Sequence, residues 1–144
     1  MATPVPKTPG ETTVTAVTPT PAVLTSLAAF GSLLRSQTSP WLCDPAAGAA
    51  PDLPTLKQWA ALSGTVWLVA ANADTLGYVI VRGDGVIKWL VLDYRQKQAA
   101  KLLLDALLER FTVVRGHVRS ASVRADLIAA GCVADGEWLS YRRR

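Results

Sequence analysis

The alternation of apolar and polar positions predicts an α/β chain of ten elements. β-Branched residues alternate at 11–17, as in a strand, and the apolar positions after Thr20 recur at helical spacing. Thr20 is a plausible N-cap, and Pro21 suits the first helical position. In chain order the predicted elements are strand 11–17, helices 20–36 and 51–62, strands 65–71, 76–83 and 86–94, helix 97–110, strand 111–118, helix 120–131 and strand 137–143. The order β-α-α-β-β-β-α-β-α-β predicts a mixed central sheet flanked by helices, an α/β (α+β) fold.

Composition sets the limits of this fold. With 144 residues the chain suits one compact domain, predicted at 11–144 and preceded by a flexible Thr/Pro-rich arm at 1–10. The segment 39–52 is rich in proline and predicts a loop. No apolar run approaches the roughly 18–20 residues of a membrane span, and the N-terminus has no apolar signal core, so we expect a cytoplasmic protein. Cys43 and Cys132 lack metal-ligand spacing and are interpreted as reduced thiols, so no metal is expected.

The net charge of +4 is concentrated in the last quarter of the chain, which ends in a predicted basic tail, Arg142–Arg144. A basic end can favour phosphates or an acidic partner, but a solvated surface is the simpler interpretation. The five tryptophans could form a base-stacking set for single-stranded nucleic acid. Because Trp67, Trp89 and Trp138 lie in predicted strands, we interpret them as core residues instead, and we do not expect a nucleic-acid partner.

One junction carries the pattern of an anion-binding site. The strand 86–94 ends in a basic turn that leads directly into helix 97–110, and a helix N-terminus attracts phosphate through its free N–H groups and its dipole. Such turns usually contain glycine, which lets the backbone approach the phosphate. Here Gln98 and Ala100 stand at the corresponding positions.

The order of elements, with Gly131 closing the last helix, resembles the GCN5-related N-acetyltransferase (GNAT) family over about residues 11–143. In that family a signature Arg/Gln-x-x-Gly-x-Gly/Ala binds the pyrophosphate of acetyl-CoA. Aligned on the Tyr-Arg pair, Arg95 takes the first position, Gln98 the first glycine and Ala100 the second. The resemblance thus implies an acetyl-CoA site made by Leu92, Arg95, Gln96, Lys97, Gln98, Ala99, Ala100 and Lys101.

The sequence departs from the family at three chemically specific places. Gln98 puts a side chain where the pyrophosphate should lie, which implies that acetyl-CoA binding is weakened or lost. The strands 65–71, 76–83 and 86–92 contain no Asp, Glu or His to deprotonate an amine. Aligned on Gly131, Leu127 replaces the tyrosine that often protonates the leaving thiolate, while Ser120 and Cys132 replace an asparagine and a phenylalanine.

His117, the only histidine, is the one candidate catalytic residue. Its unperturbed pKa near 6.5 suits a general base. On a strand among apolar neighbours it is more often a packing or surface residue. Tyr94 and Tyr141 are possible substitutes for the missing acid, although their spacing selects neither.

Two functions of different classes follow. One is an acetyl-CoA-dependent N-acetyltransferase acting on an unidentified amine. The other, which we favour, is a GNAT-like protein without catalysis that serves in assembly or inhibition, with a protein partner that orders the N-terminal arm. In size and in its degenerate signature the chain is loosely similar to internal virion and head-assembly proteins of short-tailed bacteriophages. That likeness implies a virion-associated alternative to the cytoplasm.

Overall fold

The computed structural model describes residues 12–33, 42–43, 53–72, 75–92, 98–118 and 121–142. Its elements alternate broadly as the sequence pattern predicts. In chain order they are β1 (Thr13–Ala16), α1 (Pro21–Leu33), β2 (Leu42–Cys43), α2 (Leu53–Ala60), β3 (Val66–Ala71), β4 (Thr75–Val81), β5 (Ile87–Leu92), α3 (Gln98–Leu107), β6 (Val113–His117), α4 (Ala121–Ala129), β7 (Val133–Asp135) and β8 (Trp138–Arg142).

Within these residues the strands form one mixed sheet in the order β1-β3-β4-β5-β2-β6-β8-β7. The strands β3, β4 and β5 form the predicted antiparallel meander. The predicted α/β fold class is therefore confirmed. Two details of the prediction were wrong: the loop at 39–52 contains β2, and the single last strand is preceded by a separate strand, β7.

The helices cover the two faces of the sheet with separate cores. On one face, α1 and α2 pack through Leu24, Leu27 and Leu56 against strand residues that include Tyr78 and Trp89. On the other face, α3 and α4 pack against the strand residues that carry the second core. α3 and the turn that follows it present an apolar face to this core, and each member of the face is at most 8% exposed. These members are Ala100, Leu103, Leu104, Leu107 and Leu108.

Local signals in the sequence explain several element ends. The Val23 N–H donates to the Thr20 hydroxyl at 3.3 Å, so Thr20 is the N-cap of α1, as predicted. At the end of α4, Gly131 has φ 114°, and the N–H groups of Gly131 and Cys132 donate to the carbonyls of Ile128 and Leu127. This is a Schellman cap, in which a left-handed glycine turns the chain out of the helix.

The hairpin β7–β8 explains the second wrong detail. Asp135 pairs with Trp138, which leaves a two-residue turn whose first member, Gly136, has φ 62°. A glycine with positive φ at this position is typical of a tight hairpin turn. Arg142, predicted as the start of a loose tail, instead pairs with Val113 as the last residue of β8. The predicted arm at 1–10 and Arg143–Arg144 lie outside the described residues.

Candidate functional site: the gap between β5 and β6

Two parallel strands in the middle of the sheet, β5 and β6, touch only at one end. The Arg115 N–H donates to the Gly85 carbonyl at 3.0 Å, and Val86 forms a parallel bridge with Arg115. Beyond this contact the two strands part toward Leu92 and His117. The two strands are therefore splayed, and we call the space between them the β5–β6 gap.

A β-bulge shapes the β5 side of the gap. Val81 pairs with Ile87 and Ile80 pairs with Trp89, so Lys88 has no residue opposite it on β4. The extra residue turns Ile87 toward the α3 face and Trp89 toward the α1/α2 face. Bulges of this kind occur often next to functional sites, because they redirect the side chains that follow.

The short strand β2 lies in the gap. Its backbone pairs antiparallel with β5, where Leu42 faces Leu90 and Cys43 faces Trp89. Cys43 also pairs with His117 of β6, so this one residue connects the two sides of the gap. Neighbouring strands of a sheet lie about 4.8 Å apart, and one inserted strand therefore fills the distance between two parted ones. At the level of Trp89, Leu90 and His117, the gap is closed by the chain's own backbone.

Seven of the eight predicted cofactor-binding residues divide into three groups. Leu92 ends β5 and Gln98 begins α3, as expected for a strand that leads into an anion-binding helix end. Ala99 and Ala100 are 0% and 1% exposed and belong to the core, so only their backbone could face a ligand. Arg95, Gln96 and Lys97 lie outside the described residues. Their predicted role in cofactor binding stays a prediction.

Lys101, the last residue of the predicted set, forms a network with Asp105 and Tyr141. Its ammonium lies 3.0 Å from the Asp105 carboxylate and 3.3 Å from the Tyr141 hydroxyl, which itself donates to Asp105. Desolvation acts to raise the pKa of Asp105, but the hydrogen bonds from Tyr141 and Lys101 outweigh it and hold that pKa below its ordinary value. The network lines a cavity of about 450 Å³ with Leu108, Glu109, Ala130, Gly131 and Arg142. The Lys101 charge is thus already partly neutralised by the protein itself.

His117 ends β6, beside the open end of the gap. Its Nε2 lies 2.8 Å from the Glu137 carboxylate, and its ring meets the edge of Trp138 with centroids 6.0 Å apart. The His117 side chain is 17% exposed, whereas that of Glu137 is 82% exposed. The Arg115 guanidinium also contacts Trp138, and it lies over that ring, 5.1 Å from its centroid. The carboxylate partner was not predicted, because it comes from a hairpin 20 residues further along the chain.

Three other groups complete the picture of the site. Leu127, at the position that the resemblance gives to the acidic tyrosine, is 0% exposed in the α3/α4 core. Cys132 is buried, which raises the pKa of its thiol to about 11 and disfavours it as a nucleophile. Sequence reasoning missed Tyr78, whose buried hydroxyl has no hydrogen-bond partner among the described residues. Burial raises the pKa of Tyr78 well above its ordinary range, so it stays protonated.

Two simple classes of site receive no support from the part of the chain that the structure describes. Its His, Cys, Asp and Glu side chains form no group of three or more that could hold a metal ion. None of its helices is both long enough and apolar enough to cross a membrane.

Comparisons with known proteins show which solved structures share this architecture. No protein-family model and no curated protein sequence matches the chain. Solved structures do match it. An acetyltransferase from Thermus thermophilus is 13% identical, with a TM-score of 0.63, over 91% of this chain and 97% of that one. A GNAT-family acetyltransferase from Streptococcus pneumoniae is 14% identical, with a TM-score of 0.62, over 92% and 100%.

A third match is a complex: spermidine N-acetyltransferase from Vibrio cholerae with CoA and spermine. It is 12% identical, with a TM-score of 0.58, over 91% of this chain and 95% of that one. These likenesses show that the chain has the fold of GCN5-related N-acetyltransferases. They carry no support for the expected similarity to phage head-assembly proteins, which stays a prediction.

The residues present do not fit a CoA thioester in the β5–β6 gap while β2 is paired there. Leu42–Cys43 use the backbone edges of both strands. The first N–H groups of a helix have no acceptor within the helix, which is the general reason why a helix N-terminus such as that of α3 can attract a phosphate. The anion site predicted at the N-terminus of α3 therefore stays a prediction, whereas β2 occupies the β5–β6 gap beside it.

Proposed function

We propose that this chain is a GNAT-fold protein that binds CoA thioesters weakly and acts through contact with another protein, without appreciable acetyl transfer. The family resemblance implies a CoA-type anion site at the N-terminus of α3, and the proposal takes this site as present but weak. The groups that would carry the chemistry of transfer are missing from the positions where the family resemblance expects them.

The observation that carries the proposal is the burial of Leu127. At the position of the thiolate-protonating tyrosine, this side chain is fully enclosed between α4 and the sheet. A leucine cannot donate a proton, and a solvent molecule cannot replace it in a closed core. The absence of a general acid or base typically lowers the rate of a reaction by about 10²–10⁴.

The β5 side of the gap supports the same proposal. Lys88 is the only charged residue in β3, β4 and β5, and its ammonium lies 5.1 Å from the ring centroid of Trp59. The described parts of these strands therefore offer no carboxylate or imidazole to an amine. Gln98 at the glycine position of the signature adds a second handicap, since its side chain competes with the phosphate for space.

Two measurements on the purified full-length chain test this function. A calorimetric titration with acetyl-CoA should give binding weaker than micromolar, and Gln98→Gly should strengthen it. Micromolar affinity of the wild-type chain, about −8 kcal/mol, would contradict the weak-binding part. Release of free thiol from acetyl-CoA, measured with spermidine and with peptides bearing a free N-terminus, should stay at the level without protein.

A second candidate function, N-acetyltransfer to an amine, is favoured by the pair of His117 and Glu137. A cationic amine could donate hydrogen bonds to both His117 Nε2 and the Glu137 carboxylate, which now lie 2.8 Å apart. His117 would then take the proton, and Glu137 would stabilise the resulting imidazolium. If thiol release is robust and His117→Ala abolishes it, while Glu137→Gln reduces it, this second function replaces the first.

A further inference from the structure

The strand β2 has an unusual position for so short an element. It contains only Leu42 and Cys43, yet its backbone pairs with two strands that are far apart in the chain, β5 and β6. It runs antiparallel to both, as the parallel direction of β5 and β6 requires. Without β2, these two strands would share only the contacts at Gly85, Val86 and Arg115.

Any extended ligand that lies in the gap needs the same space and the same backbone groups. The pairing partners of β2 are Trp89, Leu90 and His117, which border the gap on its two sides. Since one strand fills the distance between two parted strands, β2 and an extended ligand cannot lie there together. Binding of the ligand and pairing of β2 therefore exclude each other.

We propose that β2 is an internal competitor for the β5–β6 gap, so that a CoA thioester enters only when Leu42–Cys43 leave it. The inference rests on the proposed function, in which the anion site at α3 retains weak affinity for CoA. It adds a cause for that weakness that is independent of Gln98, and it couples CoA binding to the connection between α1 and α2.

The small number of backbone pairs in β2 favours a reversible equilibrium between paired β2 and an open gap. A two-residue strand gains few backbone pairs, whereas the neighbouring strands β4 and β5 pair over most of their lengths. When only a fraction of the molecules has an open gap, the apparent dissociation constant rises by the inverse of that fraction. If about one molecule in ten is open, removal of β2 should tighten CoA binding about tenfold.

Proline substitutions in β2 test the competition directly. Proline has no N–H and disfavours the middle of a sheet, so Leu42→Pro and Cys43→Pro should each release β2 without altering β5 or β6. Ala49→Pro is the matched control, because it adds a proline to the same connection outside β2. In calorimetry with CoA as the probe, both β2 variants should bind about tenfold more tightly than wild type and the control.

The results divide clearly. If the β2 variants fold, as judged by circular dichroism, and bind CoA no better than the control, the competitor is refuted. The same holds if neither they nor the wild-type chain bind CoA at millimolar concentration. Tight binding by wild type would instead overturn the weak-binding part of the proposed function, and thiol release would overturn its non-catalytic part. In either case the comparison of the β2 variants with the control still decides whether β2 competes.

Hydrogen exchange on the wild-type chain gives a second test that needs no variant. Saturating CoA should speed amide exchange in the peptide that contains Leu42 and Cys43, and should slow it at Leu90–Leu92. Unchanged or slower exchange at Leu42 and Cys43 in the bound state would show that β2 stays paired, and would overturn the proposal.

Discussion

The two halves of the sheet on either side of the gap are buried in different ways. In the first half, β4 has six buried residues in succession after Thr75, because helices cover both of its faces. In the second half, β6 and β8 alternate between buried and more exposed residues, because α3 and α4 cover only one face. We call these the first half (β1, β3, β4, β5) and the second half (β6, β7, β8).

This difference decides where chemistry is possible. The first half carries one charged residue in its three long strands, Lys88. The second half carries Arg115 and His117 on the face away from α3, next to the hairpin that holds Glu137. A strand that is buried on both faces cannot hold an ionisable group without a large desolvation penalty. Within the described parts of these strands, the imidazole that could transfer a proton therefore lies on the β6 side of the gap.

Loss of a core side chain in the first half should have the largest effect. Ile80 is 0% exposed, so Ile80→Ala should lower the free energy of unfolding by about 2–5 kcal/mol through lost burial and a cavity. Val133 in the second half is 59% exposed, and Val133→Ala should change the free energy of unfolding by less than about 0.5 kcal/mol. Urea unfolding of both variants measures the contrast. Equal losses would contradict the described difference between the halves.

A glycine pair tests the contact that joins the halves. Gly85 has φ 86°, and a Cβ added there would lie 2.7 Å from the Val113 carbonyl oxygen of β6. Gly136 has φ 62° and open space around it. Gly136→Ala should therefore lower the unfolding free energy by about 1–2 kcal/mol, the cost of positive φ alone.

Gly85→Ala should be clearly worse than Gly136→Ala, because the backbone of β6 must also move. The difference between the two melting temperatures isolates this close approach. Equal decreases in melting temperature for both variants would mean that the backbone of β6 moves away from position 85 without loss of stability.

The network of Asp105, Lys101 and Tyr141 predicts a smaller effect that depends on pH. The folded-state pKa of Asp105 lies below that of the unfolded chain, about 3.9. Its stabilisation is therefore fully present above that value and is lost as the pH falls through the folded-state pKa. In Asp105→Asn the free energy of unfolding should therefore fall less steeply at acid pH than in wild type. Urea unfolding between pH 2 and 7, about the range where carboxylates titrate, measures this difference.

Tyr141→Phe provides the matched change in the same network. It removes the hydroxyl that donates to Asp105 but keeps the ring. The expected loss at neutral pH is no more than about 1 kcal/mol, because solvent screens these partly exposed groups. If Tyr141→Phe loses stability at acid pH in the same way as wild type, Lys101 alone lowers the pKa of Asp105.

The smallest effect is expected at the chain ends. Deletion of residues 1–10 together with Arg143 and Arg144 should leave the melting temperature nearly unchanged, since their composition offers little apolar surface to bury. Arg142 is retained in this variant because it pairs with Val113. A large drop in the melting temperature of the truncated monomer would contradict the prediction that both ends are contact elements.

Local signals were sufficient for most of the fold. The cap at Thr20, the glycine at Gly131 and the apolar face of α3 act within a few residues, so the sequence pattern predicts them directly. Trp67 and Trp89 were predicted as core and are 3% and 2% exposed. Trp138 lies in its predicted strand but only partly buried, because no described helix covers that face of β8.

Other features depend on residues that meet only in the folded chain. The pattern of 39–52 contains no strand signal, because β2 is held by backbone groups of β5 and β6 rather than by its own alternation. The His117 partner Glu137 lies 20 residues away in the chain, and the Tyr141 hydroxyl that contacts Lys101 lies 40 residues away. By itself the sequence determined ten of the twelve described elements, their order and the presence of a leucine at 127, since these depend on local spacing and residue type. Only the tertiary structure decided that the chain's own backbone closes the gap, because hydrogen bonds between distant strands leave no periodic trace in the sequence.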